Sequence, residues 1–282
     1  MSKLGAYLNL IRFFNPIGFW LLLWPALWGV FIEPGFQLKH FAIVVLGAFL
    51  TRSLGCAIND ILDRNYDNKV ERTKGRPLAN GDLSLMQALI FATLMGITCI
   101  FLLLQTNTFT INLVFILAIP LIIFYPLAKR FIGAPQLILG ITFGLSLPIS
   151  YAIVHSNINA DALFLYLACI FWIIAYDSYY ALSDLEDDIK ININSLPQLF
   201  GASTLKVINV FYGLFVLMMA LFAIHNSYEI LQIGVLFLIY QGYYQYQLGL
   251  DHQYMQAFKS NSHVGLVIAM IFFIENQNEF FS

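Results

Sequence analysis

HFAIVVLGAFLTRSLGCAINDILDRNYD, residues 40–67, decides how this chain is read. Residues 40–60 are almost wholly apolar and long enough to cross a bilayer, which takes about 20 residues of helix. From Asn59 onward the stretch turns acidic, with Asp60, Asp63 and Asp67. A membrane helix that ends in a carboxylate cluster is therefore the first expectation.

Working outward, the same kind of apolar segment recurs. Nine are expected, at about 15–33, 40–60, 85–105, 109–127, 134–154, 161–181, 204–224, 228–249 and 263–281. The run from Ile17 reads as a first span, not as a cleaved leader. Composition agrees, with 60% hydrophobic and 11% charged residues, where a soluble domain has about 25% charged. Mean hydropathy is +0.76. The fold class expected is an all-α polytopic membrane protein of about nine transmembrane helices, one domain over residues 1–282. A net charge of −2 argues against a nucleic-acid partner. Cys56, Cys99 and Cys169 sit in apolar runs and fit neither a zinc site nor a disulfide framework. His40, His155, His225, His252 and His263 are scattered, which argues against a histidine metal site.

Two of the polar stretches, 61–84 and 182–203, are long and charged. Of the fourteen Lys and Arg residues, all but Lys39 and Arg52 fall in the N-terminus or after segments 2, 4, 6 and 8. Cytoplasmic loops are enriched in Lys and Arg. The N-terminus and both long loops are therefore expected in the cytoplasm, and the C-terminus outside.

A faint repeat accompanies this pattern. Asp63 to Asp184 is 121 positions, as is Asp67 to Asp188, and Pro77-x3-Gly81 matches Pro197-x3-Gly201 at an offset of 120. Two related four-helix halves, about 15–127 and 134–249, with a ninth helix at 263–281, would place both acidic motifs on one membrane face. Matching motifs in two halves point to a binding site.

On a helix, Asn59, Asp63 and Asp67 span only about 80°. Asp184 and Asp188 are likewise one turn apart, with Asp177 near their face. Carboxylate oxygens suit Mg²⁺, which keeps several waters and is shared with substrate phosphates. Two facing acidic pairs can hold Mg²⁺ on a diphosphate and neutralise its charge as it leaves. Arg72, Lys74 and Arg76 follow the first motif, and Lys129 and Arg130 end the fourth segment. These cations suit diphosphate oxygens. Arg52, seven residues before Asn59, is a charge inside a span and so a functional candidate. Asp60, Glu186 and Asp187 read as solvated neighbours of the ligands. Of the many aromatics, Tyr125, Tyr176, Tyr179 and Tyr180 lie nearest the acidic ends, where ring faces can stabilise an allylic cation. A cation transporter using the carboxylates as a path is the competing class, though its ligands belong near the midplane.

At these residues the chain resembles the UbiA superfamily of intramembrane prenyltransferases. Asn59-Asp60-x2-Asp63-Arg64-x2-Asp67, running on to Arg72-Thr73 and Arg76-Pro77-Leu78, is similar to the family's first signature. Ala175-Tyr176-Asp177, Tyr180-Ala181, Asp184, Asp187-Asp188 and Lys190-Ile191 are similar to its second. Tyr125-Pro126, Lys129-Arg130, Pro135-Gln136 and Leu139-Gly140 resemble the branch that acts on 4-hydroxybenzoate, as do Leu22-Leu23-Trp24-Pro25 and Trp28.

The resemblance implies nine helices enclosing a lipid-open cavity under a cytoplasmic cap; a bacterial inner membrane is expected because no Arg/Ser-rich transit segment precedes the first span. It implies Asn59, Asp63, Asp67, Asp184 and Asp188 as metal ligands. The reaction implied joins a polyprenyl diphosphate to the ring carbon ortho to the phenol of 4-hydroxybenzoate, for ubiquinone biosynthesis. Naphthoate, homogentisate and a haem precursor are the alternative acceptors. Asp184 and Arg130 are expected to carry catalysis. Arg52, Arg72, Lys74, Arg76, Lys129, Arg130, Lys190, Tyr125 and Tyr180 are expected to bind substrate.

The topology has a direct test. In a background without Cys56, Cys99 and Cys169, Lys74→Cys and Asn194→Cys should resist a membrane-impermeant thiol reagent in intact cells. Labelling from outside at either position would overturn the orientation.

Overall fold

A computed structural model describes residues 2–68, 73–190 and 194–277, without the side chains of Tyr66, residues 126–130 and Gln277. Helix α1 (Lys3–Leu10) precedes α2 (Ile17–Phe31), α3 (Leu38–Asp67) and α4 (Leu85–Leu103). Helix α5 (Thr108–Leu113) passes through a π-helical turn (Val114–Ala118) into α6 (Ile119–Phe131). Then come α7 (Pro135–Gly144), α8 (Ser146–His155), α9 (Ala160–Lys190) and α10 (Leu196–Phe200). A 3₁₀ turn (Gly201–Ser203) leads to α11 (Thr204–His225), α12 (Glu229–Leu250) and α13 (Tyr254–Gln277). Among the described residues there is no strand.

Seven stretches are long and apolar enough to cross a membrane: Leu38–Asn65, Leu85–Leu103, Thr108–Tyr125, Pro135–His155, Ala160–Lys190, Leu196–His225 and Tyr254–Asn276. Helix α2 has 15 residues, about 22 Å of rise against a hydrocarbon core of about 30 Å. Helix α12 occupies the expected eighth segment but is not among the seven; Gln232, Gln241, Gln245 and Gln247 lower its hydropathy. The fifth expected segment breaks at Leu145 into α7 and α8. Pro148 causes this, because it has no N–H for the carbonyl of Gly144 and its ring crowds that carbonyl.

Two helices run past the apolar segments they contain: α3 continues beyond residue 60 and α9 beyond 181. They have 30 and 31 residues, about 45 Å each, and so outrun the hydrocarbon core. The acidic motifs are therefore helical throughout, and the connection after α3 begins only at residue 68.

Contacts at the bundle's ends fix its polarity. Glu33, just after α2, accepts hydrogen bonds from the Tyr151 hydroxyl near the end of α8 (2.7 Å) and from the Asn159 amide just before α9. Asn276, near the end of α13, donates to the carbonyl of Phe31 at 2.7 Å. Glu275 accepts from the N–H groups of Ile230 (2.6 Å) and Leu231 (3.2 Å), satisfying two orphan donors of α12. Helices α3 and α9 both start at this end, so their acidic C-termini both lie at the other. Helix α1 lies at the acidic end and the last turn of α13 at the opposite one.

The middle is aromatic. Trp28 stacks on Trp172 with centroids 5.0 Å apart, and Phe215 stacks on Trp172 at 5.9 Å. Phe272 meets Trp28 edge-on at 6.5 Å. Rings from α2, α9, α11 and α13 thus form one core. Both indole N–H groups are satisfied, Trp28 by the carbonyl of Gly265 (2.9 Å) and Trp172 by Asn261 Oδ1 (2.8 Å). Without water, every such group needs a protein partner.

Helices α2 and α8 approach to backbone contact. A Cβ on Gly29 would collide with the carbonyl oxygen of Leu147 and with Ser150 Oγ. Small residues permit such approaches between membrane helices. Gly29→Leu should lower the thermal stability of the detergent-solubilised protein by about 1–3 kcal/mol or more. Gly213→Leu, where nothing stands within 4 Å, should leave the melting temperature unchanged.

Candidate active site

The last turns of α3 present Asn59 and Asp63, both half-buried, and Asp67, which is 6% exposed. Asp67 is already engaged. Nη1 of Arg76 lies 2.9 Å from each of its carboxylate oxygens, and its carbonyl accepts from the Thr73 hydroxyl at 2.9 Å. The connection after α3 therefore folds back onto the helix end through charge-assisted hydrogen bonds.

Asp60 corrects the sequence reading. It is not a solvated neighbour but completely buried. Its Oδ1 receives Nη2 of Arg12 at 2.6 Å, and its Oδ2 receives Nη1 of Arg12 at 3.1 Å. Arg76 Nη1 also stands 3.3 Å from Oδ1. Burial works against the charge of Arg12, but the hydrogen bonds and attraction of Asp60 outweigh it and raise its pKa. Arg12 was missed by sequence reasoning, being remote and outside any motif. In the structure Asp60 continues the buried stripe Ser53, Cys56, Ala57 of α3 at helical spacing.

Helix α9 brings a second set along a stripe that winds about 160° around the helix. Trp172, Tyr176, Tyr180, Asp184 and Asp188 recur every four residues. Trp172 meets Tyr176 edge-on at 5.2 Å, and Phe258 of α13 lies 5.9 Å from Tyr176 and 5.0 Å from Tyr180. An aromatic stripe so runs from the core to Asp184, which is 8% exposed. Asp188, one turn on, is half-buried. Tyr125, on α6, packs against the main core.

Arg52 sits half-buried in α3. Its guanidinium carbon lies 5.9 Å from the centroid of the Phe143 ring. A Cβ on Gly18 would stand 2.5 Å from its Nη2, so the glycine makes room for the guanidinium. Lys74 and Lys190 are exposed, and Lys190 pairs with Asp187 at 3.0 Å. Arg72, and the side chains of Lys129 and Arg130, lie outside the described residues.

Helices α3 and α9 pack mainly on different neighbours, α3 on α2 and α4, α9 on α7, α11 and α13, and both touch α8. Among the described residues no three His, Cys, Asp or Glu groups converge to hold a metal ion. The donors at the two acidic ends are all oxygens. Such a set fits a hard, well-hydrated cation shared with phosphate oxygens, and does not form an all-protein cage. Both acidic groups lie at the end of the bundle, away from mid-span, which disfavours a translocation path.

The comparisons agree with this arrangement. A model of the UbiA prenyltransferase family matches residues 22–272. A 4-hydroxybenzoate octaprenyltransferase of Methylobacillus flagellatus is 38% identical over 277 residues, 96% of this chain and 92% of that protein. The apo structure of a UbiA homolog from Aeropyrum pernix has the same fold, with a TM-score of 0.76 at 20% identity over 93% of this chain and 98% of that one. A UbiA homolog from Archaeoglobus fulgidus bound to GPP and Mg²⁺ gives a TM-score of 0.75 at 17% identity, over 95% and 99% of the two chains. With a family model matched from segment 1 to α13 and that identity across nearly the whole length, this chain belongs to the UbiA prenyltransferase family.

Proposed function

We propose that the chain transfers a polyprenyl group from polyprenyl diphosphate to the ring carbon ortho to the phenol of 4-hydroxybenzoate, in ubiquinone biosynthesis. Its place is a bacterial inner membrane, with the N-terminus and the acidic end in the cytoplasm and the C-terminus outside. The observation that carries the reading is the α9 stripe, Trp172, Tyr176 and Tyr180, leading to buried Asp184 at the end of the bundle where Asp67 lies. A long apolar chain with a diphosphate head needs that succession of aromatic and acidic surfaces. The relative from Methylobacillus supports the acceptor by its name.

Asn59, Asp63, Asp67, Asp184 and Asp188 would hold Mg²⁺, and the Archaeoglobus homolog with GPP and Mg²⁺ supports that ion. Bound there, the ion supplies positive charge to the departing diphosphate. Arg72, Lys74, Arg76, Lys129 and Lys190 would grip the diphosphate oxygens. The C–O bond of the prenyl diphosphate breaks with its electron pair on oxygen, leaving an allylic cation. Rings of Tyr125 and Tyr180 face that charge. The ortho carbon attacks it, a C–C bond forms, and the ring proton passes to a base. We read the chain as two four-helix halves, about 15–127 and 134–249, with a ninth helix at 263–281.

Purified protein given Mg²⁺, a polyprenyl diphosphate and a panel of aromatic acids should yield the prenylated 4-hydroxybenzoate by mass. Asp63→Asn or Asp184→Asn should reduce turnover at least ~100-fold, as expected for a lost charge-stabilising group. Full activity in excess chelator would sink the metal assignment.

The acceptor's carboxylate enters a low-dielectric site and needs a cation. Arg130 is the first choice, because a planar guanidinium orients a carboxylate through two parallel bonds. Arg52 is the second, favoured by its place over Phe143 and against Gly18 within the span. Breaking a buried pair costs roughly 3–5 kcal/mol, and less in a partly wet site. Arg130→Ala should raise the KM for 4-hydroxybenzoate strongly and that for the prenyl diphosphate little. If only Arg52→Ala shows the acid-selective defect, the roles exchange. If neither does, another acceptor becomes the better reading.

A further inference from the structure

Four charged groups alternate along one path at the acidic end: Arg12, Asp60, Arg76 and Asp67. Arg12 grips both oxygens of Asp60, at 2.6 and 3.1 Å. Arg76 reaches Asp60 at 3.3 Å and Asp67 at 2.9 Å. Among the described residues these four charges balance, and the first two lie outside every residue set proposed above for metal or substrate. Asp60 is fully buried, whereas the side chain of Asp67 keeps 8% of its exposure. A buried carboxylate demands cations more strongly than one that water still reaches.

From this we infer that Arg12 and Asp60 are positioning residues for Arg76. By neutralising Asp60, Arg12 leaves most of the Arg76 guanidinium free to turn toward Asp67 and the diphosphate. Without Arg12, the uncompensated Asp60 draws Arg76 inward. Arg76 then leaves Asp67, and the diphosphate loses a cation. This rests on the reading of the acidic end as a diphosphate site.

Arg12 also has a local structural part, which the test must separate. It adopts a left-handed conformation with φ of 60°, and its Nη1 donates to the carbonyls of Asn9 (3.0 Å) and Leu10 (3.4 Å), closing the end of α1. Arg12→Gln loses both the closure and the charge. Adding Asp60→Asn to Arg12→Gln removes the buried charge but does not restore the closure.

The experiment measures full-length protein in detergent, wild type, Arg12→Gln and the double variant. The readouts are the KM for each substrate and calorimetric binding of inorganic pyrophosphate with Mg²⁺. Arg12→Gln should weaken both the prenyl diphosphate KM and pyrophosphate binding by about tenfold or more, the scale of one lost charged hydrogen bond. The KM for the aromatic acid should stay within twofold, about the wild-type value. The double variant should recover most of the pyrophosphate affinity. Equal weakening of both substrates, or a double variant as impaired as Arg12→Gln, would overturn the positioning role and leave only the closure of α1. A wild-type protein that binds no pyrophosphate would overturn the inference together with the diphosphate reading. A wild type that binds it, with Arg12→Gln unchanged, would overturn the inference alone.

Discussion

A carboxylate with no access to water has to be neutralised by its neighbours, and Asp60 sets that requirement for the acidic end of the bundle. Arg12 comes to it from the segment after α1, and Arg76 from the connection after α3. Two pieces of chain remote in sequence are thereby tied to one helix. An ion pair of this kind is a poor source of net stability, because desolvation offsets most of the attraction. Its effect is geometric: removing one partner leaves a buried charge, so the alternatives to this arrangement are costly. Asp67 takes its place from the same constraint, since its partner is the second guanidinium on Asp60.

The opposite end solves the same problem with mostly neutral groups. Tyr151 and Asn159 donate to Glu33, and Glu275 closes the start of α12. The Tyr228 hydroxyl, which donates to the carbonyl of Ile32 at 2.7 Å, ties the start of α12 to the end of α2. Between the two ends the core is made of rings and small residues, with the indole N–H groups of Trp28 and Trp172 satisfied by protein. Packing in lipid gains little from the hydrophobic effect between helices, so close contact and internal hydrogen bonds hold the bundle together. The charged end sits on two helices long enough to extend beyond the hydrocarbon.

Much was legible in the sequence because membrane helices are governed by local rules. A helix in lipid satisfies its own backbone, so the length of an apolar run defines an element without knowledge of its neighbours. That is why α4 at Leu85–Leu103 matches the expectation of 85–105 so closely. Polar flanks are less constrained: α3 and α9 continue past their apolar segments through the acidic motifs, as nothing local forces a helix to end where hydropathy does. The placing of Asn59, Asp63 and Asp67 on one helical face also follows from spacing alone.

What only the tertiary structure decided concerns pairs of residues far apart in the chain. Asp60 and Asp63 are alike in composition and lie in one motif, yet Asp60 is sealed and Asp63 is half-buried. The difference arises because α1 and the segment after α3 cover one side of α3, which no periodicity of α3 reveals. Arg12 acquires its role for the same reason, 48 positions from its partner. The sequence by itself determined an all-helical membrane chain, two acidic motifs and the residue types suited to a diphosphate. The structure decided which of those charges neutralise each other, because charge pairing in a buried site depends on distances of a few ångströms that sequence separation does not encode.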